Sequence, residues 1–213
     1  MKVSSVMTKN PVIIYPNDSL TDARSLMDKE HVDRLPVLDK NKNLVGILTR
    51  KDMLKAGPSA ATTLDVYEIG YLLSRLTVEK IMNKRVITVE ENEVIEEAAR
   101  IMVDNDIGGL PVMKGPLLVG IITDSDLFRV FINALGARHK GVRLTLNMGE
   151  KPGQLAKLAQ AIADKGGNIV AFMTSEGDDI SHRRVTLKIV GIDRAQAENA
   201  IQQVPETVLE DMR

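Results

Sequence analysis

Two stretches of the sequence decide the fold: Val45–Asp52 is written VGILTRKD, and Val119–Asp126 is written VGIITDSD. Both follow the pattern Val-Gly-Ile-x-Thr-x-x-Asp, so one motif occurs twice in the chain. A glycine inside a strand allows another segment or a ligand to approach the backbone closely. The threonine that closes the strand and the aspartate one turn into the next helix would place a hydroxyl and a carboxylate close together. The motifs therefore predict two related junctions of a strand and a helix.

Each motif belongs to a longer internal repeat whose two copies have the same order of parts. A helical turn and a short β-branched run come first. An amphipathic helix follows, and in the first copy Ser19 with Asp22 predicts a capping box at its start. Two strands joined by a polar turn come next, and a last helix follows the threonine of the motif. Corresponding residues of the two copies are Met7 and Met82, Ala23 and Ala98, Met27 and Met102, and Pro36 and Pro111. Because a unit of this size buries little surface alone, we expect the copies to pair through their sheets.

The composition limits the classes of protein to which the chain can belong. It has 213 residues, 44% of them hydrophobic, a formal net charge of −1 and no cysteine. The near-neutral charge gives no bulk attraction to nucleic acid or to an anionic membrane. Without cysteine there is neither a disulfide framework nor a thiolate metal site. No apolar run approaches the roughly 18 residues of a membrane span, and the first residues show no signal-peptide core. We therefore expect a cytoplasmic protein that binds neither nucleic acid nor membrane.

The last third of the chain has a different pattern. The stretch Val142–Met148 alternates apolar and polar residues, as a strand with one buried face does. Pro152 stands near the start of a predicted helix, and Gly166 and Gly167 stand at its end. The apolar stripe of that helix is predicted to consist of Leu155, Leu158, Ala159 and Ile162. Two strands, a second helix and a terminal strand follow, and this order predicts a ferredoxin-like βαββαβ sandwich.

The tandem repeat resembles a pair of CBS domains over about Val3–Leu135, on the motif hPVhD…GhhTxxD preceded by hxxhM, where h is hydrophobic. The resemblance implies an α+β fold in which two β-α-β-β-α units pair about a pseudo-twofold axis. The predicted units are 1–57 and 78–137, and a partly helical connector spans 58–77. The resemblance also implies two clefts that bind adenine nucleotides (AMP, ADP or ATP) or S-adenosylmethionine.

Carried over residue by residue, the resemblance places one ligand site at each motif. The threonine would donate to a phosphate, and the aspartate would accept both ribose hydroxyls. The nucleotide-binding residues implied in this way are Gly46, Thr49 and Asp52 at the first site and Gly120, Thr123 and Asp126 at the second. A Thr-x-x-Asp pattern after a strand is also a helix cap that needs no ligand. The two roles can coexist, so both interpretations stay open.

The two sites are not expected to be equal. Around the first motif lie the basic residues Arg34, Arg50 and Lys51, a set suited to a polyphosphate. In the second copy Gly109 stands in place of the arginine, and Asp124 adds a carboxylate. We therefore rank the first site above the second, which suits ATP poorly and would take an adenosine-like or cationic ligand or stay empty.

The region 141–213 resembles an ACT domain, whose pattern is an acidic residue, Pro-Gly-x-Leu, a helix and Gly-x-Asn-Ile. The matching residues are Glu150, Pro152, Gly153, Leu155, Gly167, Asn168 and Ile169. The resemblance implies pairing of two copies side by side and, in some members, an amino-acid site at the interface near the Pro-Gly loop. The residues we name for such a site are Pro152, Gly153, Asn168 and Ile169. Alternatively, the Pro-Gly pair only starts a helix. The whole order of domains is similar to that of bacterial acetoin-utilisation regulatory proteins, although no residue here points to acetoin.

These observations favour a non-catalytic regulatory sensor that binds an adenine nucleotide and transmits the signal to a partner or within a homodimer. The dimer would form through the CBS units, the ACT domain or both, and the partner would be a regulated metabolic enzyme. The alternatives are a constitutive dimerisation scaffold without a ligand and an amino-acid sensor. An enzyme is not expected, since the sequence has no P-loop and no Gly-x-Ser-x-Gly motif.

A metal site is not expected either. The histidines His31, His139 and His182 stand far apart, without the spacing of metal ligands. A further candidate for a cation site is the pair Asp178 and Asp179, in a predicted hairpin loop.

Overall fold

A computed structural model describes residues 1–56, 75–177 and 179–213 of the chain. Most of the predicted connector 58–77, and Asp178 of the candidate cation pair, lie outside these residues. The chain divides into two compact units, Met1–Leu127 and Phe128–Arg213.

The two repeats contain the predicted elements in the predicted order. In the first repeat these are a 3₁₀ turn at Val3–Ser5, strand β1 (Thr8–Lys9), helix α1 (Leu20–Glu30), strands β2 (Arg34–Leu38) and β3 (Leu44–Thr49), and helix α2 (Arg50–Ala56). In the second repeat they are helix α3 (Val78–Ile81), strand β4 (Val89–Glu90), helix α4 (Ile95–Asp104), strands β5 (Gly109–Lys114) and β6 (Leu117–Thr123), and helix α5 (Asp124–Ala134). The predicted α+β fold with two β-α-β-β-α repeats is confirmed.

The β-branched run of each repeat forms less strand than predicted. Within the first run, residues 12–15, Ile14 makes a single parallel bridge to Val37. The second run, residues 86–89, reaches only the start of the two-residue strand β4, which pairs parallel with β5. The first run lies between Pro11 and Pro16, and proline lacks the N–H group that a longer ladder would use.

Helix α1 begins and packs as the sequence predicts. The Asp22 amide donates to Ser19 Oγ at 3.0 Å, and the Ser19 amide donates to Asp22 Oδ2 at 3.3 Å. These two bonds form the predicted capping box. The helix then buries Leu20, Ala23 and Met27 on one face, because residues three and four apart share a face of a helix.

The repeats exchange their opening segments. Val3 is fully buried in the core of the second repeat, and β1 pairs antiparallel with β6. In return, Val78 and Met82 are buried in the core of the first repeat, and the amide of Asn83 donates to the carbonyl of Ile47 at 2.9 Å. Each repeat therefore completes its core with the first turn of the other.

This exchange shows which segment comes close to Gly46 and Gly120. Both glycines are buried, and a Cβ atom would collide with the Met82 side chain at Gly46 and with the Met7 side chain at Gly120. The segment that approaches each glycine closely is thus the methionine of the other repeat. This is one of the two alternatives that the sequence left open, and the role of the glycines at a ligand stays a prediction.

The second unit is a ferredoxin-like sandwich. After α5 it contains strand β7 (Val142–Gly149), helix α6 (Gln154–Asp164), strands β8 (Asn168–Glu176) and β9 (His182–Val190), helix α7 (Arg194–Gln202) and strand β10 (Thr207–Met212). The sheet is antiparallel, in the order β10-β7-β9-β8. The predicted βαββαβ order is confirmed.

The buried face of α6 differs from the predicted stripe. Leu155 is 41% exposed and Ala159 is exposed, whereas Gln154 and Ala161 are buried beside the predicted residues Leu158 and Ile162. The Gln154 side chain donates from Nε2 to the carbonyl of Pro205 at 3.2 Å. The buried face of the helix is therefore displaced toward Gln154 and Ala161 from the face that the apolar residues alone predict.

Candidate functional site

The first Thr-x-x-Asp motif forms a closed set of hydrogen bonds at the junction of β3 and α2. Thr49 donates from Oγ1 to Asp52 Oδ2 at 2.5 Å and from its amide to the same oxygen at 3.0 Å. The Asp52 amide donates back to Thr49 Oγ1 at 3.2 Å. These reciprocal bonds start the helix, so the capping role that the sequence left open is present.

The carboxylate of Asp52 nevertheless keeps capacity for a ligand. All of its recorded bonds go to Oδ2, and the side chain is half-buried. Within the part of the chain that the structure describes, no hydrogen bond to Asp52 Oδ1 is found. An ionised carboxylate has about four acceptor sites on its two oxygens. The cap therefore orients one oxygen and leaves the other able to accept.

The second motif repeats this geometry in a more buried setting. Thr123 donates to Asp126 Oδ2 from Oγ1 at 2.8 Å and from its amide at 2.9 Å. Asp126 is only 4% exposed, whereas Asp52 is half-buried. The two junctions thus share one backbone design, and they differ in how far the carboxylate is withdrawn from solvent.

Arg34 connects the first motif to the second repeat. It lies opposite Thr49 in the β2–β3 pairing, so its side chain starts at the rim of the first motif. The guanidinium reaches over Gly108 and Gly109, where any Cβ atom would press against it. It ends 3.8 Å from Asp124, measured from Nη2 to Oδ2.

The predicted basic set around the first motif is not gathered at one place. Arg50 donates from Nε to Asp33 Oδ1 and from Nη1 to Asp28 Oδ1, both at 2.8 Å. The hydrogen bonds to Asp28 and then to Asp33 raise the pKa of Arg50 above its usual value. Its charge is already matched by these carboxylates, and its predicted phosphate role stays a prediction. Lys51 is exposed, and of the three predicted basic residues it is Arg34 that reaches Asp124 of the second repeat.

The four residues named for an amino-acid site do not come together within one chain. In the sheet, β9 pairs His182 with Gly149, just before Pro152 and Gly153. At its other end, Val190 pairs with Asn168. Eight residues of strand separate these ends by roughly 26 Å. The Pro-Gly loop and the Asn168–Ile169 pair thus lie at opposite ends of the sheet within one chain, and an amino-acid site at the interface of two copies stays a prediction.

The candidate cation pair is reduced to one described carboxylate with partners of its own. Asp179 Oδ1 accepts from the Ser181 amide at 2.7 Å, from Ser181 Oγ at 2.6 Å, and lies 2.9 Å from His182 Nδ1. These groups, Ser181 first, lower the pKa of Asp179 to about 2. In residues 1–56, 75–177 and 179–213, no cluster of three His, Cys, Asp or Glu residues could hold a metal ion. Over the same ranges, no helix combines the length and the apolarity needed to cross a membrane.

Sequence reasoning missed three groups that shape the first rim. Asp28 and Asp33 hold Arg50, and Gly108 makes room for Arg34. The contact between Arg50 and Asp33 joins residues 17 positions apart, so no local pattern announces it. Gly108 stands beside Gly109 in the sequence, and this pair of glycines could have predicted space for a side chain from elsewhere in the chain.

Comparisons with known proteins agree with this architecture. The family model described as "CBS domain" matches residues 3–59 and 78–133, and the model described as "TTHA0829-like ACT domain" matches residues 140–212. Protein MJ1404 of Methanocaldococcus jannaschii is 39% identical over 132 residues, which are 60% of this chain. The chain spans only 31% of the length of that relative.

Two solved structures are similar to the CBS pair. The CBS domain pair of protein MJ0100, in complex with 5′-methylthioadenosine and S-adenosyl-L-methionine, is 29% identical. The similarity has a TM-score of 0.53 and covers 65% of this chain and 98% of that one. A Vibrio cholerae protein assigned to acetoin utilization (AcuB) is 33% identical with a TM-score of 0.53, over 65% of this chain and 95% of that one. The chain described here belongs to the CBS-domain family, with two CBS domains in tandem followed by an ACT domain.

Proposed function

We propose that the chain is a cytoplasmic, non-catalytic regulatory sensor whose CBS pair binds an adenosine-containing ligand at the first Thr-x-x-Asp motif. The observation that carries this proposal is the state of Asp52. Thr49 fixes one carboxylate oxygen, and the other has no hydrogen bond among the described residues. A half-buried carboxylate oriented in this way suits the two hydroxyls of a ribose, which it would bind through charge-assisted hydrogen bonds.

The similarity to the CBS pair of protein MJ0100 supports the class of ligand. That structure holds 5′-methylthioadenosine and S-adenosyl-L-methionine, and both contain adenosine. AMP, ADP, ATP and S-adenosylmethionine are therefore the ligands to test on this chain. The second motif ranks below the first, because Asp126 is 4% exposed and Asp124 adds negative charge at its rim.

The exchanged opening segments supply a route for the signal. Because the Val78–Asn83 segment packs on the first repeat, a ligand that shifts one repeat also strains the core of the other. The change would be transmitted to a second copy of the chain or to a regulated metabolic enzyme. Such a ligand acts only if its affinity differs between the two arrangements of the repeats.

A constitutive dimerisation scaffold is the second candidate, and one observation favours it. Both motifs close their own hydrogen bonds without a ligand, so the fold does not require one. The scaffold predicts that neither adenine nucleotides nor S-adenosylmethionine bind.

Titration calorimetry of the full chain with AMP, ATP, 5′-methylthioadenosine and S-adenosylmethionine separates the two candidates. Asp52→Ala should lower the affinity for the ligand by about ten-fold or more, since a hydrogen bond to a charged group is lost. Asp22→Ala is the matched control, because Asp22 caps α1 in the same repeat and should leave affinity unchanged. If no ligand binds the unaltered chain, the sensor proposal fails and the scaffold stands.

A further inference from the structure

We infer that Asp124, a residue of the second repeat, sets the charge preference of the first cleft by competing for Arg34. This inference rests on the proposed function, because it needs an adenosine-containing ligand beside Thr49 and Asp52. It assigns a specificity-determining role to one ion pair that joins the two repeats.

The side chain of Arg34 starts beside the first Thr-x-x-Asp motif. Arg34 is the first residue of β2, directly opposite Thr49 at the end of β3. Directly paired residues on neighbouring strands have Cβ atoms about 5 Å apart on the same face. Arg34 therefore begins where a phosphate attached to a ribose on Asp52 would be expected. Arg50 is bound to Asp28 and Asp33, so it does not replace Arg34 in this role.

The side chain of Arg34 then extends to two glycines of the second repeat. At the equivalent position the second repeat has Gly109, paired with Thr123. The absence of side chains at Gly108 and Gly109 leaves the space that the Arg34 guanidinium occupies. The side chain of Arg34, a residue of the first repeat, thus lies over the start of β5 in the second repeat, and it is only 23% exposed.

The carboxylate of Asp124 is held in one orientation beside Arg34. Asp124 Oδ1 accepts a hydrogen bond from the Ser125 amide at 2.7 Å, which fixes the side chain at the start of α5. Its other oxygen faces Arg34 Nη2 at 3.8 Å. In residues 1–56, 75–177 and 179–213, this is the only ion pair recorded for Arg34. The arginine is thus shared between a fixed carboxylate and any anion that enters the first cleft.

A ligand phosphate must draw Arg34 away from Asp124, whereas an uncharged adenosine thioether leaves the pair intact. A polyphosphate ligand therefore binds against the competition of Asp124, and a neutral ligand does not. Removing the charge of Asp124 should favour phosphate-bearing ligands selectively.

The test is a double-mutant cycle on the full chain, with ATP and 5′-methylthioadenosine as the two probes in calorimetry. Asp124→Asn keeps an oxygen acceptor for the Ser125 amide and removes the charge. It should strengthen ATP binding by about three- to five-fold, the range that partly exposed ion pairs reach, and leave 5′-methylthioadenosine unchanged. Arg34→Gln should weaken ATP selectively, and in that background Asp124→Asn should lose most of its effect.

The control is Glu96→Gln, which removes the same charge from an exposed residue of α4 and should leave both affinities unchanged. Equal shifts for ATP and 5′-methylthioadenosine overturn the inference, as does an Asp124→Asn effect that survives Arg34→Gln. Those results leave the proposed function standing, because ligand still binds. If neither probe binds the unaltered chain, the proposed function fails and the inference fails with it.

Discussion

The two CBS repeats are built on the same backbone and carry different charges at their rims. In each, a threonine at the end of a strand donates to an aspartate one turn into the next helix. The first rim has Arg34 where the second has Gly109, and the second adds Asp124. The structure shows that these differences meet, because Arg34 extends to Asp124. Sequence differences between two copies of a repeat can thus combine into one ion pair that joins the copies.

The strongest test of their equivalence is at the buried glycines. Gly46→Val and Gly120→Val should each destabilise the chain by about 1–3 kcal/mol, because the added atoms overpack against a methionine. Urea unfolding measures the loss. Met82→Ala should relieve the cost at Gly46.

At Gly120 the relief by Met7→Ala should be smaller, since the Thr8 carbonyl lies 3.0 Å from the added Cβ position. An unrelieved cost at Gly46 would show that Met82 is not the obstacle and would contradict the exchange of segments.

The capping aspartates should rank by burial. Asp126→Ala should cost about 1–2 kcal/mol and Asp52→Ala about 0.5–1 kcal/mol, because both lose a helix cap and Asp126 leaves more buried partners unsatisfied. Urea unfolding of the ligand-free chain checks the order. The Asn variants, which keep an acceptor, should recover part of each loss. The reverse order would mean that burial does not distinguish the two junctions.

Arg50 should behave as a structural residue of the first repeat alone. Arg50→Gln loses two partly exposed ion pairs to Asp28 and Asp33, and such pairs contribute little in solvent. The unfolding midpoint should fall slightly, and ATP affinity should not change. A selective loss of ATP binding, comparable to that of Arg34→Gln, would instead support the predicted phosphate role of Arg50.

The smallest expected effect is a change in the stability of the second repeat at acid pH, caused by one ion pair in α4. Arg100 lowers the pKa of Glu97 below its ordinary value of 4.5, so the native state stabilises the charged form. This stabilisation is complete above that value and is lost as the pH falls through the lowered pKa. Glu97→Gln should therefore reduce the difference in unfolding midpoint between neutral pH and a pH below 4.5.

Residue Ser25 of α1 occupies the position of Arg100 in the repeat, so the first repeat has no arginine there. An unchanged acid-dependent difference in Glu97→Gln would show that Arg100 does not stabilise the charged form of Glu97.

The sequence predicted the fold well wherever local patterns specify it. The capping box at Ser19, the buried stripe from Leu20 to Met27 and the strand order of the ACT domain all follow from spacing along the chain. The prediction was wrong for the stripe of α6, whose buried face includes the polar residue Gln154, bonded to the carbonyl of Pro205. For Gly46 and Gly120 the sequence left open whether another segment or a ligand comes close, and the structure places a methionine of the other repeat beside each.

The sequence by itself determined that two similar units precede a third of another kind, and that a hydroxyl and a carboxylate stand at each strand–helix junction. Periodicity, caps and repeats can be recognised in the sequence without knowledge of the fold. Only the tertiary structure decided which basic residue remains for a ligand. Asp28 and Asp33 engage Arg50, and Asp124 engages Arg34 across the two repeats. Electrostatic partners are chosen by distance in space, and residues far apart in the chain come within that distance only when it folds.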